Sequence, residues 1–193
     1  NQSITFSSTL DGVQGITIES GTGAVTVGGE IGTIVPFLFF NVGSSATAIN
    51  INGVSVITTG EQTFGSPVVL GANTSFTTTN SPVTFSTTVN GSAAGRNFTV
   101  AAGNGSILVG GVIGSTANAI AAITLTGNGG VTLNGVGTGA TTTGALSVTS
   151  TSGILLNQGT YNADSQAFNG AVSLGANTTM TSPNAISITG PVD

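Results

Sequence analysis

Seven side chains of this 193-residue sequence carry formal charge at neutral pH: Asp11, Glu19, Glu30, Glu61, Asp164, Asp193 and Arg96. There is no His, Cys or Lys. A general base would therefore have to be a carboxylate, and thiolate metal sites and disulfides are excluded. Glycoside hydrolysis needs two carboxylates facing one bond. The acids here do not come in such pairs. Asp11 lies in a turn whose equivalents further along are Asn90 and Asp193, Val112 stands where Glu30 stood, and Asp164 aligns with Gly60 without a second acid beside it. Calcium would need closely spaced Asp, as in GGxGxDxUx nonapeptides, and none is present. GNGG (127–130) precedes a strand pattern rather than a helix, so it reads as a corner and not as a phosphate loop. No catalytic, cofactor-binding or metal-ligating residue is expected, and no enzyme.

The net charge of −5, with one cation, leaves too little positive charge for nucleic acid or an anionic membrane surface. IVPFLFF (34–40) is the longest apolar run, far below the roughly 20 residues of a membrane helix. NQSITF at the start lacks the basic and apolar stretches of a signal peptide, and the chain reads as a segment of something longer or as a mature subunit.

The elements that would position these residues are strands. Helical periodicity is absent and Gly recurs too often. ITF, ITI, AVTV, INI, VTF, FTV, ILV, ITL, VTL, LSV and ISI mostly alternate apolar with Thr, Ser or Asn. Between them stand turn pairs such as Asn52-Gly53, Asn104-Gly105 and Asn134-Gly135. Only 4% of residues are charged, yet 38% are hydrophobic, enough to fold.

Two repeat lengths decide the architecture. QTFGSPVVLGANTSFTT (62–78) returns as QAFNGAVSLGANTTMTS (166–182), with nine of seventeen positions identical. ITFS at Ile4 returns as VTFS at Val83, and then, after a longer interval, as ISIT at Ile186. ITLTGNGGVTLNG (123–135) and LSVTSTSGILLNQ (146–158) match at an offset of 23. The second long repeat thus holds one extra unit of that size. A sandwich cannot absorb such a unit without changing topology; a solenoid merely lengthens. The expectation is all-β: one right-handed parallel β-helix (β-solenoid) of about eight or nine coils, with repeats at 4–82 and 83–185, an extra coil near 136–158, and a third repeat starting at 186–193.

QTFGSPVVLGANT and QAFNGAVSLGANT, with GGVTLNG and VTFSTTVNG around them, resemble the repeat region of giant bacterial surface adhesins, the filamentous-haemagglutinin-like, two-partner-secretion type. The resemblance covers the whole chain as a repeat style. It implies a secreted protein on a cell surface or in an extracellular fibre, serving as shaft or adhesin. No NPNG-type secretion motif is present, so the chain is similar to shaft rather than exported cap.

Expected partners are neighbouring repeats or copies of the chain itself through the solenoid ends, or a glycan or protein of a host or neighbouring cell. Ice binding is a third reading, prompted by Thr-x-Thr runs at 77–79, 124–126, 141–143, 149–151 and 179–181, but their spacing does not give one per coil. Asn73 and Asn177, shared by the two GANT motifs, are expected to be structural corner residues that stack on the next coil or bond to backbone. Aligned on inward residues, 36–42 matches 118–125: Leu38 with Ile120, Phe40 with Ile123, Val42 with Leu125. Phe37 and Phe39 then fall opposite Ala119 and Ala121, on the outer face, as a contact for a subunit, a partner or a packed loop.

Overall fold

The computed structural model describes residues 2–114, 118, 120–137 and 143–193. Every paired strand among them is parallel to its neighbour, and there are no hairpins. The chain is a β-solenoid with three faces. Face A stacks Ile4–Phe6, Val25–Val27, Ile49–Ile51, Val68–Leu70 and Val89–Gly91. Single-residue bridges at Ile113, Val136 and Tyr161 carry it on to Thr179–Thr181. Face B begins with bridges at Leu10 and Ile31 and runs from Ser55–Thr58 to Ile186–Ile188. Face C runs from Ile16–Ile18 to Val172–Leu174, with a last bridge at Val192. From Ile4 to Met180 the partners on face A succeed each other eight times. At about 4.8 Å per layer the stack is roughly 38 Å long.

Alternation explains why three-residue strands suffice. VTV at Val25–Val27 buries both Val and leaves Thr26 half-covered. VTF at Val83–Phe85 and VTL at Val131–Leu133 do the same. Each strand contributes two or three inward residues to columns shared with the coils above and below. Phe64 and Phe85 stack face to face with centroids 4.9 Å apart, and Phe76 meets both edge-on at 5.2 and 5.0 Å. Such pairs add about 0.5–1.5 kcal/mol each beyond burial.

The offset of 23 appears as direct stacking. Ile123 pairs with Leu146, Leu125 with Val148, Val131 with Ile154 and Leu133 with Leu156. Coil length is otherwise loose: the coil from Ile154 to Val172 is short, and the one from Ile16 to Phe40 is long. The corners absorb the difference. In three of them an inward residue is followed at once by a left-handed glycine: Ile31-Gly32, Ile113-Gly114 and Val136-Gly137, with φ of 67°, 70° and 62°. That conformation turns the chain after a one-residue strand, and a side chain would strain it. The freed N–H of each glycine donates to the coil below, to Leu10, Val89 and Ile113 respectively.

Leu174 and Ile186 follow the alternation of core strands but are 43% and 44% exposed; they lie in the last coils, where Leu174 meets only Asp193 of the layer above. Ile4, Phe6, Ile16 and Ile188, in the first and last coils, are partly covered.

Candidate functional site

The acids are spread along the coils, and those with partners support backbone or corners. Asp11 accepts the N–H groups of Ile34 and Val35 through Oδ1, at 2.9 and 3.1 Å, and so ties down the 32–36 loop. Asn41 donates to Glu61 Oε1 at 3.1 Å, and the carboxylate of Glu19 lies over Gly43. Among the described residues no three His, Cys, Asp or Glu gather where they could hold a metal.

The loop that Asp11 holds corrects the facing assignment. Phe37 is core, 8% exposed, with Thr58 as its bridge partner. Leu38, expected inward, is 52% exposed. Phe39 is half-buried, its ring lying over Gly15, where a Cβ would collide with it. Phe40 then enters face C, fully buried. The reason is a corner within the segment. Phe37 ends the face B side and Phe40 starts face C, so period-two alternation does not run through Leu38 and Phe39. The alignment with Ile120 and Ile123 paired different faces, since Ile120–Gly127 lies on face B. Ala119 lies outside the described residues, as do Thr141 and Thr142. The exposed apolar side chains here are Val13, Ile34, Val35 and Leu38. They form one flank, because Gly12 bonds Val35 and Leu38 bonds Gln14.

Asn73 sits at the corner between Val68–Leu70 and Thr74–Thr78, and its Oδ1 accepts the backbone N–H of Asn97 on the next coil at 3.0 Å. Asn177 is exposed at the corner before Thr179–Thr181. It lines an open depression of about 590 Å³ with Leu174, Thr178 and Asp193. A smaller one of about 200 Å³ lies on face C, lined by Gly130, Val131, Gly153 and Ile154. Neither contains a titratable cluster.

Sequence reasoning overlooked the polar residues inside. Gln62 and Gln166 are 0% and 1% exposed. Gln62 Nε2 donates toward Val56 O at 3.1 Å, Thr58 Oγ1 at 3.2 Å and Thr77 O at 2.9 Å. Gln166 Nε2 donates to Tyr161 O at 3.0 Å and Thr181 O at 2.9 Å. Each amide brackets a corner, binding the strand before it and the coil after it. Val56 and Thr77 lie in the paired strands Ser55–Thr58 and Thr74–Thr78, so the Gln62 amide is a second donor to carbonyls that also accept ladder N–H groups. The signal was present: Gln opens both copies of the repeated stretch. Tyr161 is also fully buried, donating to Leu133 O at 2.8 Å. Burial pushes its phenol up to about 12.

The two copies share more than the glutamine. Thr74 Oγ1 donates to Ala72 O, and Thr178 Oγ1 to Ala176 O. Thr78 Oγ1 donates to Ser81 O, and Ser182 Oγ to Ala185 O. Yet Gln62–Phe64 lies on face C, whereas Gln166 to Phe168 lies on face B. The same local structure recurs on a different face, one third of a turn away. No family model matches the chain, and neither does any curated protein or solved structure.

Proposed function

We propose that this chain is a structural shaft segment of a secreted cell-surface adhesin or extracellular fibre. The observation that carries the reading is one apolar core, closed on three faces by parallel ladders, running unbroken through the stack. Ladder bonds then lie along the long axis, and each coil is held by the one above and the one below. Scarce charge limits repulsion between layers. The repeat style, similar to that of adhesin shafts, supports the location.

The test is a distance. Thr17 and Ser173 occupy one outward column of face C, seven layers apart through Asn41, Thr63, Thr84, Leu108, Thr132 and Leu155. The chain has no cysteine, so Thr17→Cys with Ser173→Cys places two spin labels alone. A shaft gives a narrow distribution centred at about 34 Å, seven strand layers, plus the length of the labels. A broad or bimodal one would refute rigidity.

A second reading, a protein-binding module on the same scaffold, is favoured by the flank of Val13, Ile34, Val35 and Leu38. Replacing all four with Ser would abolish cell or protein adhesion on that reading and leave it unchanged on the first.

A further inference from the structure

We propose that the outer side of face B binds ice, its ligand being the water lattice at the surface of a crystal. The proposal goes beyond the shaft reading and draws on the central coils alone.

Register carries the argument. Strands on faces A and C are three residues long, with one outward side chain each, as in Val25–Val27 and Val83–Phe85. On face B the strands from Thr74–Thr78 to Thr160–Asn169 are longer, and each turns out two or more. Their pairing lays these side chains in two adjacent columns. One runs Ser75, Thr99, Thr124 and Ser147; the other runs Thr77, Ala101, Thr126 and Thr149. All but Ala101 carry a hydroxyl. Thr124 and Thr126 are exposed and the others half-buried in the close-packed outer layer. Spacing along the sequence hid this grid, because the coils differ in length and Ser often stands in for Thr. The grid needs no particular residue, only Ser or Thr at alternate positions, and strands of either long repeat supply them.

The hydroxyls of Ser75, Thr77, Thr99, Thr124, Thr126 and Ser147 have no hydrogen-bond partner in the protein. Inward Thr58, Thr74 and Thr78, by contrast, donate to backbone carbonyls. Solvent is thus the partner of the outer hydroxyls, and it meets them at fixed intervals. These are about 4.8 Å from layer to layer and about 6.7 Å between columns, two residues along a strand. The two perpendicular repeats of the oxygen lattice on a prism face of hexagonal ice lie close to both distances. Each Thr also sets a methyl group beside its hydroxyl. Water over methyl groups loses orientational freedom, and the hydroxyls anchor the layer so ordered. A charge would instead orient a hydration shell of its own against the lattice. None of the seven charged side chains stands in either column, so an uncharged face meets an uncharged lattice. A second sheet packed on this face would need apolar rows to interdigitate, and the columns offer none.

The experiment reads thermal hysteresis, the gap between freezing and melting points, and uptake of the chain into slowly grown ice. Wild type should show both. Thr124→Tyr with Thr126→Tyr sets two rings on the middle of the grid, where they hold the lattice away, and should lose both. Thr63→Tyr with Thr84→Tyr makes the same change in the outward column of face C and should keep both. Circular dichroism checks that each variant is folded. If the face B tyrosines disturb the fold, Thr124→Ala with Thr126→Ala takes their place and should lower both readings. A folded wild type with neither hysteresis nor uptake would overturn the proposal. So would a folded face B variant as active as wild type, or a face C variant impaired as much. Light scattering covers the other occupant: a wild-type dimer that the face B tyrosines split would mean that a second copy takes this face, and would equally overturn ice binding. No uptake together with a narrow Thr17–Ser173 distance would sink this proposal and leave the shaft reading standing.

Discussion

Replacing Gln62 by Met tests whether the buried amide holds its corner. Met keeps the length and approximate volume of the side chain and removes both polar atoms. Gln62 Nε2 faces three acceptors, but its two hydrogens serve two at a time. Two acceptors that keep their ladder partners lose a second donor, at about 0.5–1.5 kcal/mol each. Against this, Gln62 Oε1 is itself buried without a partner, and removing it returns about 1–3 kcal/mol. The losses and the gain are of similar size, so Gln62→Met should lie within about 1 kcal/mol of wild type. Urea unfolding followed by circular dichroism reads the midpoint. Hydrogen exchange should place any loosening in the coils of Val56 and Thr77. A glutamate sharpens the test. Ionised, it accepts only, and would aim charge at carbonyls, so Gln62→Glu should be worse than Gln62→Met at pH 7. Protonated, it regains one donor, so its deficit should shrink as the pH falls. If Gln62→Glu is no worse than Gln62→Met at pH 7, the bracket does not hold the corner.

Other outcomes follow from the same coordinates. The phenol of Tyr161, raised by burial from 10.0 to about 12, stays protonated in the fold at a pH where the unfolded chain has ionised it. The stability tied to that proton is complete below pH 10 and is lost as the pH rises toward 12. Tyr161→Phe should be about 1 kcal/mol less stable at pH 7, through the lost hydrogen bond to the Leu133 carbonyl, which keeps the Asn157 N–H, and should show a flatter alkaline unfolding curve. Phe37→Ala should cost about 3–5 kcal/mol, whereas Leu38→Ala, at a position 52% exposed, should cost less than about 1 kcal/mol, both read by urea titration. Deleting residues 131–153 joins Gly130 to Ile154, which pairs with Val131, and removes one whole coil. The shortened chain should keep its parallel-sheet spectrum, and removing half as many residues should not.

Alternation and turn residues made the fold class legible. Val25, Val27, Val83 and Phe85 declare their inward side in short strands, and the offset of 23 named the stacking partners of Ile123 and Val131. The corner within 37–40 was not legible. Phe37, Leu38, Phe39 and Phe40 form an apolar run in which alternation is meaningless, and only the chain's turn between faces decides which rings go in. Inward polar residues were equally hidden. Gln62 and Thr74 look solvent-facing by type, but each answers a carbonyl that exists only once the corner has formed. The ends misled for a different reason. Leu174 and Ile186 have the pattern of core residues, and what exposes them is the lack of a complete further layer.

The two repeat lengths come from the equivalence of the three faces. Ile4 is on face A and Val83 on face C, three and two-thirds turns later; Ile186 is on face B, a further four and two-thirds turns on. The lengths differ by one turn, which is the extra coil, and neither is a whole number of turns. A structure whose faces differed chemically would not tolerate that. A repeat shifted by a third of a turn would place its Gln, its GANT corner and its Phe where other residues belonged. Here each face asks the same of a strand: apolar, small polar, apolar. Each corner asks for a local bond that travels with its own sequence, as Thr74 to Ala72 and Thr178 to Ala176 show. A site built from residues on one fixed face would be scrambled by a third-of-a-turn shift, whereas a shaft is indifferent to it.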